Sequence, residues 1–157
     1  MPTFRRIEIP ASGIEELEAE ARPEGYNFLD RLLHDWRSGE NRFDQPGEIF
    51  LGAFDNDVLI AVGGLNRDPF VGDPSIGRIR RVYVRSAWRN KGVGRALVTA
   101  LIDHARCHFS GLRLRAENPA AARLYERLGF LPIDDPHATH SLHLATVVPG
   151  TNPTPPA

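Results

Sequence analysis

The stretch Arg89-Asn90-Lys91-Gly92-Val93-Gly94-Arg95-Ala96 decides how this chain is read. It follows a strand-like run, Ile76 to Val84, and opens the longest helical pattern, with Val93, Ala96, Leu97, Ala100, Leu101, His104 and Ala105 as one apolar stripe. A helix start leaves backbone N–H groups unpaired and carries partial positive charge. Two glycines let a bulky ligand approach the backbone with no Cβ in the way. Helix starts favour Asp or Glu, yet this one carries Arg89, Lys91 and Arg95, each of which should cost a few tenths of a kcal/mol in an empty protein. A bound polyanion reverses that sign, so the turn reads as a cradle for phosphate oxygens.

The charge around it agrees. Between Asp73 and Asp103 there is no acidic residue, while Arg78, Arg80, Arg81, Arg85, Arg89, Lys91 and Arg95 all fall there, in a chain of net charge -1. Such a run is built to meet an anion or is a plain basic surface. Other phosphate loops fit poorly. Gly94 is followed by Arg95-Ala96, where a P-loop needs Lys and then Ser or Thr, and Leu97 stands where a dinucleotide fingerprint needs its third glycine.

Outward from the turn, Phe4 to Ile9 is strand-like, and Ser12 with Glu15 makes a capping box for a helix carrying Ile14, Leu17 and Ala21. Leu29, Leu32, Leu33 and Trp36 give a second helix that ends near Gly39. Glu48 to Phe54 and Val58 to Asn66 are strands joined by the turn Asp55-Asn56-Asp57. In the run from Ile76 to Val84, Ile79 and the pair Val82/Val84 stand at odd spacing; a β-bulge would restore one face, and buried arginine stems would explain it equally. Gly111 ends the long helix, and Leu112 and Leu114 follow as a short strand. Asn118 is an N-cap with Pro119 in the first turn of a helix striped by Ala121, Leu124, Tyr125 and Leu128, and Gly129 suits the position just past its end. Strands about Phe130 to Ile133 and Thr139 to Val147 finish the order β-α-α-β-β-β-α-β-α-β-β. That order predicts a mixed α/β (α+β) fold, a mostly antiparallel central sheet flanked by helices.

At 157 residues the chain is one domain, expected over 1–148, with a Pro-rich tail over 149–157 expected to be disordered. No apolar run approaches the roughly 20 residues of a membrane span. The basic N-terminus lacks a following apolar stretch, so no secretory signal is expected and the cytoplasm is the default location. Cys107 is the single cysteine, which rules out an internal disulfide and a cysteine-based zinc cluster.

Two blocks carry a resemblance. Arg89, Gly92 and Gly94 match the Arg/Gln-x-x-Gly-x-Gly/Ala turn of the GNAT superfamily of N-acetyltransferases, and Val82 to Trp88 resembles that family's approach to it. The segment from Glu117 to Phe130 is similar to its Asn-x-x-Ala … Tyr-Glu-x-Leu-Gly-Phe pattern, with Asn118 and Tyr125 in place.

The resemblance implies acetyl-CoA as donor and co-substrate, with no metal. Backbone N–H groups of Arg89, Asn90, Lys91, Gly92, Val93, Gly94, Arg95 and Ala96 would hold the pyrophosphate. Val82 and Val84, flanking Tyr83, would pair with the pantetheine arm, and Asn118 would contact it. Tyr125 would stand near the thioester sulfur and donate to the leaving thiolate; by periodicity alone it is a core aromatic. The acceptor is a primary amine of a small molecule or peptide. The segment between the first two helices and the loop before the second strand would receive it, near Glu24, Phe28, Trp36, Phe43 and Asn66.

The general base stays open among Glu117, Glu48, Asp55 and His140. His137 and His140 lack a third ligand for a metal, and Cys107 reads as an inert helix residue. The alternative from the same residues is a non-catalytic acyl-CoA-binding or sensing domain. Neither a nucleic-acid nor a membrane partner is expected, and the protein is expected as a monomer or homodimer.

Overall fold

In the computed structural model residues 2–145 are described, with the Phe28 side chain excepted; the expectations for the tail and for the last strand beyond 145 lie outside them. Seven strands form one sheet in the order β1-β2-β3-β4-β5-β7-β6. The strands are β1 (Thr3–Arg6), β2 (Ile49–Asp55), β3 (Val58–Arg67), β4 (Ile76–Val84), β5 (Gly111–Leu114), β6 (Leu131–Pro132) and β7 (His140–His143). The helices are α1 (Ile14–Ala21), α2 (Phe28–Ser38), α3 (Val93–Ala105) and α4 (Pro119–Arg127). The element order is the expected one. Every strand pair is antiparallel except β4 with β5.

β2 and β3 are buried on both faces, so their sequences are nearly continuous apolar runs. Ile49, Leu51, Ile60 and Leu65 pack under α3 with Leu97 and Leu101, while Phe50, Phe54, Leu59 and Val62 pack under α1 and α2 with Leu17, Leu32 and Trp36. The β2–β3 turn works because Asn56 and Asp57 both take positive φ, 47° and 65°, which matches the twist of a two-residue hairpin.

The expected bulge is present. Val62 pairs with Tyr83 and Gly64 with Arg80, so Arg81 and Val82 together oppose Gly63, and Arg81 takes φ 60°. The bulge lets Ile79, Val82 and Val84 all reach the α3 side.

Three local readings are corrected. The Ser12–Glu15 capping box does not form: Gly13, at φ 93°, is the N-cap, and no side chain caps the helix. A Cβ at Gly13 would lie 2.9 Å from Leu59 Cβ, so close packing on β3 fixes this entry rather than a cap. In α3 the buried stripe runs through Val93, Leu97, Val98, Leu101, Ile102 and Ala105, while Ala96 is exposed and His104 half-buried. Gly111 does not end α3, which stops at Ala105; it opens β5.

Candidate active site

β4 and β5 pair only over Ile76–Arg78 and Gly111–Arg113. Beyond Arg78, β4 follows β3 through the bulge while β5 ends at Leu114 beside β7. The gap is a cavity of about 700 Å³, lined by β4 from Arg78 to Val84, the turn from Trp88 to Arg95, the start of α4 and Tyr26. Arg85 N–H donates to Ile60 O (2.9 Å), so strand alternation turns the Val84 amide toward the gap.

The turn into α3 is shaped by two left-handed residues, Asn90 (φ 61°) and Gly92 (φ 83°), the latter its N-cap. Ala96 N–H makes the first intrahelical bond, to Gly92 O at 3.0 Å. The amides of Gly92, Val93, Gly94 and Arg95 precede that bond and are the donors a helix start leaves open. Ala96 is thus not among them. A Cβ at Gly94 would reach Val84 at 3.4 Å and Leu124 at 3.7 Å, narrowing the gap between β4 and α4. The first turn holds no acidic residue.

The basic run divides into two kinds of cation. Arg78 pairs with Asp68 (3.3 Å), Arg81 with Asp35 (3.4 Å), Arg85 with Glu20 (3.7 Å) and Arg89 with Glu24 (2.6 Å). Arg80, Lys91 and Arg95 make no ion pair among the described residues, and Lys91 Nζ stands 5.4 Å over the Trp88 ring. Arg89 is the most engaged: its amide donates to Ser86 O, its Nε to Val84 O (3.0 Å) and both terminal nitrogens to Glu24. Glu24 holds the Arg89 guanidinium charged, and Arg89 first, then Tyr83, draws the Glu24 carboxyl below its usual range. Much of the charge that looked built for a ligand therefore binds the first helical segment to the turn.

Tyr83 is buried, and its hydroxyl lies 2.5 Å from Glu24 Oε1 and 2.7 Å from Glu20 Oε2. Burial and these two carboxylates push its phenol above the ordinary value. Asn118 caps α4, accepting from Ala121 N–H at 2.9 Å, and its Nδ2 donates to Tyr26 OH at 3.0 Å. Tyr125 is buried against Phe130 and lines the cavity, and no hydrogen bond holds its hydroxyl among the described residues. Burial, then the Glu117 charge, raises its phenol above the usual range, so it keeps its proton.

Of the four base candidates only Glu117 lines the cavity, where it is the single carboxylate. Glu48 is buried and accepts from Gln45 and Arg67 N–H (3.1 and 2.8 Å), and His140 lies between Thr139 (2.8 Å) and Glu126 (3.2 Å). Asp55 ends β2 beside the hairpin turn. Trp36, on α2, packs against Phe43, and Asn66 is buried; none lines this cavity. Tyr26 and Arg80 also line it; a tyrosine between two helices and one arginine in a basic run carry no separate signal in one dimension. Cys107 is exposed just past α3.

A sequence model described as the acetyltransferase (GNAT) family matches residues 11–130. The N-alpha-acetyltransferase RimI of Mycobacterium tuberculosis is 30% identical over 89 residues, covering 54% of this chain and 53% of that one. The mycothiol acetyltransferase of Nocardiopsis dassonvillei is 35% identical over 117 residues, 68% of this chain and 34% of that protein. The matches thus span about half and a third of these relatives' lengths. A crystal structure of a candidate acetyltransferase from Exiguobacterium sp. 255-15 superposes with a TM-score of 0.82 at 28% identity, covering 91% of this chain and 93% of that one.

Proposed function

Since the chain belongs to the GNAT acetyltransferase family and is an acyltransferase, we propose that it moves an acetyl group from acetyl-CoA to a primary amine of a small molecule or peptide. The observation that carries this reading is the parting of β4 and β5, with the open amides of the α3 turn and Tyr125 on one cavity.

The amides of Gly92 to Arg95, with Lys91 and Arg95 beside them, would hold the diphosphate. The backbone of Val82 and Val84 would pair with the pantetheine arm, and Asn118 would touch it while capping α4. Acetyl-CoA supplies the activated acyl carbon when bound. Formation of the N–C bond breaks the C–S bond, and the amine sheds a proton. Tyr125, held protonated, would donate to a departing thiolate, whose pKa resembles the roughly 8.5 of cysteine. Glu117 is the carboxylate at hand to receive the amine's proton, directly or through water. A lysine-like amine of pKa near 10.4 costs about 4.6 kcal/mol to deprotonate at pH 7, whereas an α-amine near 7.7 costs only about 1.

The two relatives are named for an α-amine acetyltransferase and for mycothiol, so peptide termini and small molecules both belong in the assay. Thiol release from acetyl-CoA across an amine panel tests the proposal; CoA binding without release from any amine would overturn it.

A further inference from the structure

Arg80 is the feature left over. It lies opposite Gly64 on the sheet face that carries Phe43 and α2, two residues from Arg78 and next to Arg81. Its cationic neighbours are all engaged within the chain. Arg78 and Arg113 share Asp68 (3.3 and 3.7 Å), Arg113 also holds Asp135 (2.6 Å), Arg81 holds Asp35, and Arg115 donates to Pro136 O (2.6 Å). The Arg80 side chain makes neither an ion pair nor a hydrogen bond among the described residues, though it is half-buried and lines the cavity. Burial, then the charges of Arg81 and Arg78, lowers it to about 10, so it is still cationic at neutral pH.

A half-buried cation pressed between like charges is unfavourable unless an anion meets it. The chain withholds that anion: Asp35 and Asp68, the carboxylates that act on Arg80, are committed to other arginines. Of the eight arginines that line the cavity, Arg78, Arg81 and Arg89 are neutralised by Asp68, Asp35 and Glu24; the other five make no ion pair among the described residues and face one carboxylate, so a purely cationic amine would be repelled on entry. At its edge Phe70 stacks on His137 (4.2 Å between centroids, 4° between planes), with Arg78 5.0 Å over the Phe70 ring. That plate is a wall for the body of a small acceptor rather than a second charge.

We propose that the acceptor carries an oxyanion, a carboxylate or a phosphate, and that Arg80 holds it while the amine faces the donor. The inference rests on the acetyltransferase reading above and names its substrate class. An anion at Arg80 offsets the repulsion, and the remaining positive field favours the neutral, nucleophilic form of the amine.

The test compares amines that differ only in the anion: β-alanine with propylamine, and O-phosphoethanolamine with ethanolamine. A charge-assisted pair should favour the anionic member by about 10- to 100-fold in kcat/KM, mostly through acceptor KM. R80Q should collapse that ratio and R80K should recover part of it, while calorimetric CoA binding by both variants confirms that they fold. Preference confined to one pair identifies the oxyanion and supports the site.

A second arm needs no turnover. N-acetyl-β-alanine and N-acetylphosphoethanolamine, titrated into the CoA complex, should give heat with the wild type and none with R80Q. Equal rates within both pairs, or heats that R80Q leaves unchanged, would overturn the anion site with acetyl transfer intact. No thiol release from any amine, with the wild-type heats present, would instead overturn amine acetylation alone.

Discussion

The two ends of the cavity are built in different ways. At one end eight consecutive residues make the α3 turn, and its open donors are main-chain amides whose direction is set by Asn90 and Gly92. At the other, Arg80, Arg115 and the Phe70–His137 plate arrive from separate loops and strands, while Tyr26 stands edge-on to Tyr83 between the two. The first end can serve any ligand with a diphosphate, because backbone amides read charge and shape alone. The second is made of side chains and carries whatever selectivity the protein has. A family can keep one and vary the other.

The largest effect should follow from breaking the first end. Gly94→Glu puts a carboxylate and its stem between Val84 and Leu124, where even a Cβ is in contact. Like-charge juxtaposition costs several kcal/mol, so kcat/KM for acetyl-CoA should fall by about 10³-fold. A change of only a few-fold would mean that the diphosphate lies elsewhere. Next in size is Tyr125→Phe, which spares the turn and removes the proposed proton donor. Turnover should drop by about 10²-fold with little change in the KM for acetyl-CoA. Because burial raises the phenol, the wild-type rate should show no loss from its ionisation until the pH exceeds the ordinary tyrosine value near 10. Wild-type stability should fall above that value, since the unfolded chain then releases a proton the folded chain keeps. A pH–rate profile and alkaline melts of both proteins check this.

This contrast also explains what was legible in one dimension. Helix stripes, hairpin turn, bulge and α3 turn are local patterns, and each is encoded within a dozen residues. The ion pairs are not. Nothing near Arg89 announces Glu24, 65 positions away, and nothing near Arg78 announces Asp68 as a buried partner. In one dimension the cationic run is either a surface for an anion or a plain basic face, whereas four of its seven members serve the fold through ion pairs. Ser12 misled for the opposite reason: a sound local signal lost to the close approach of Gly13 to Leu59.

Asn118 ties α4 to the segment between the first two helices, since it caps α4 and donates to Tyr26. Asn118→Ala should cost about 1 kcal/mol through the lost cap. For a chain of this size that lowers the melting temperature by roughly 2–4 °C. Asn118→Ser should keep the cap and, with no amide nitrogen to offer, lose the Tyr26 bond, so a melting temperature near the wild type's, with a raised acceptor KM, would tie Tyr26 to the second end.

The smallest effect tests the clamp between them. Glu24 fastens the first helical segment to the α3 turn through Arg89, and both groups keep a third or so of their surface exposed, so the pair should contribute at most about 1 kcal/mol. Glu24 titrates below its usual value; its stabilisation is therefore fully present above the ordinary carboxylate pKa near 4.3 and is lost as pH falls through the lowered folded value. The gap in melting temperature between wild type and Glu24→Gln should be steady from pH 5 to 8 and close in more acid buffer. The same substitution removes a negative charge beside the cradle and leaves Arg89 unneutralised. CoA affinity should then rise by about twofold at low ionic strength, and the gain should vanish near 1 M salt, where charges a few ångströms apart are screened. A salt-independent loss of affinity would mean that Glu24 acts by holding the turn in shape, which would make the two ends mechanically one.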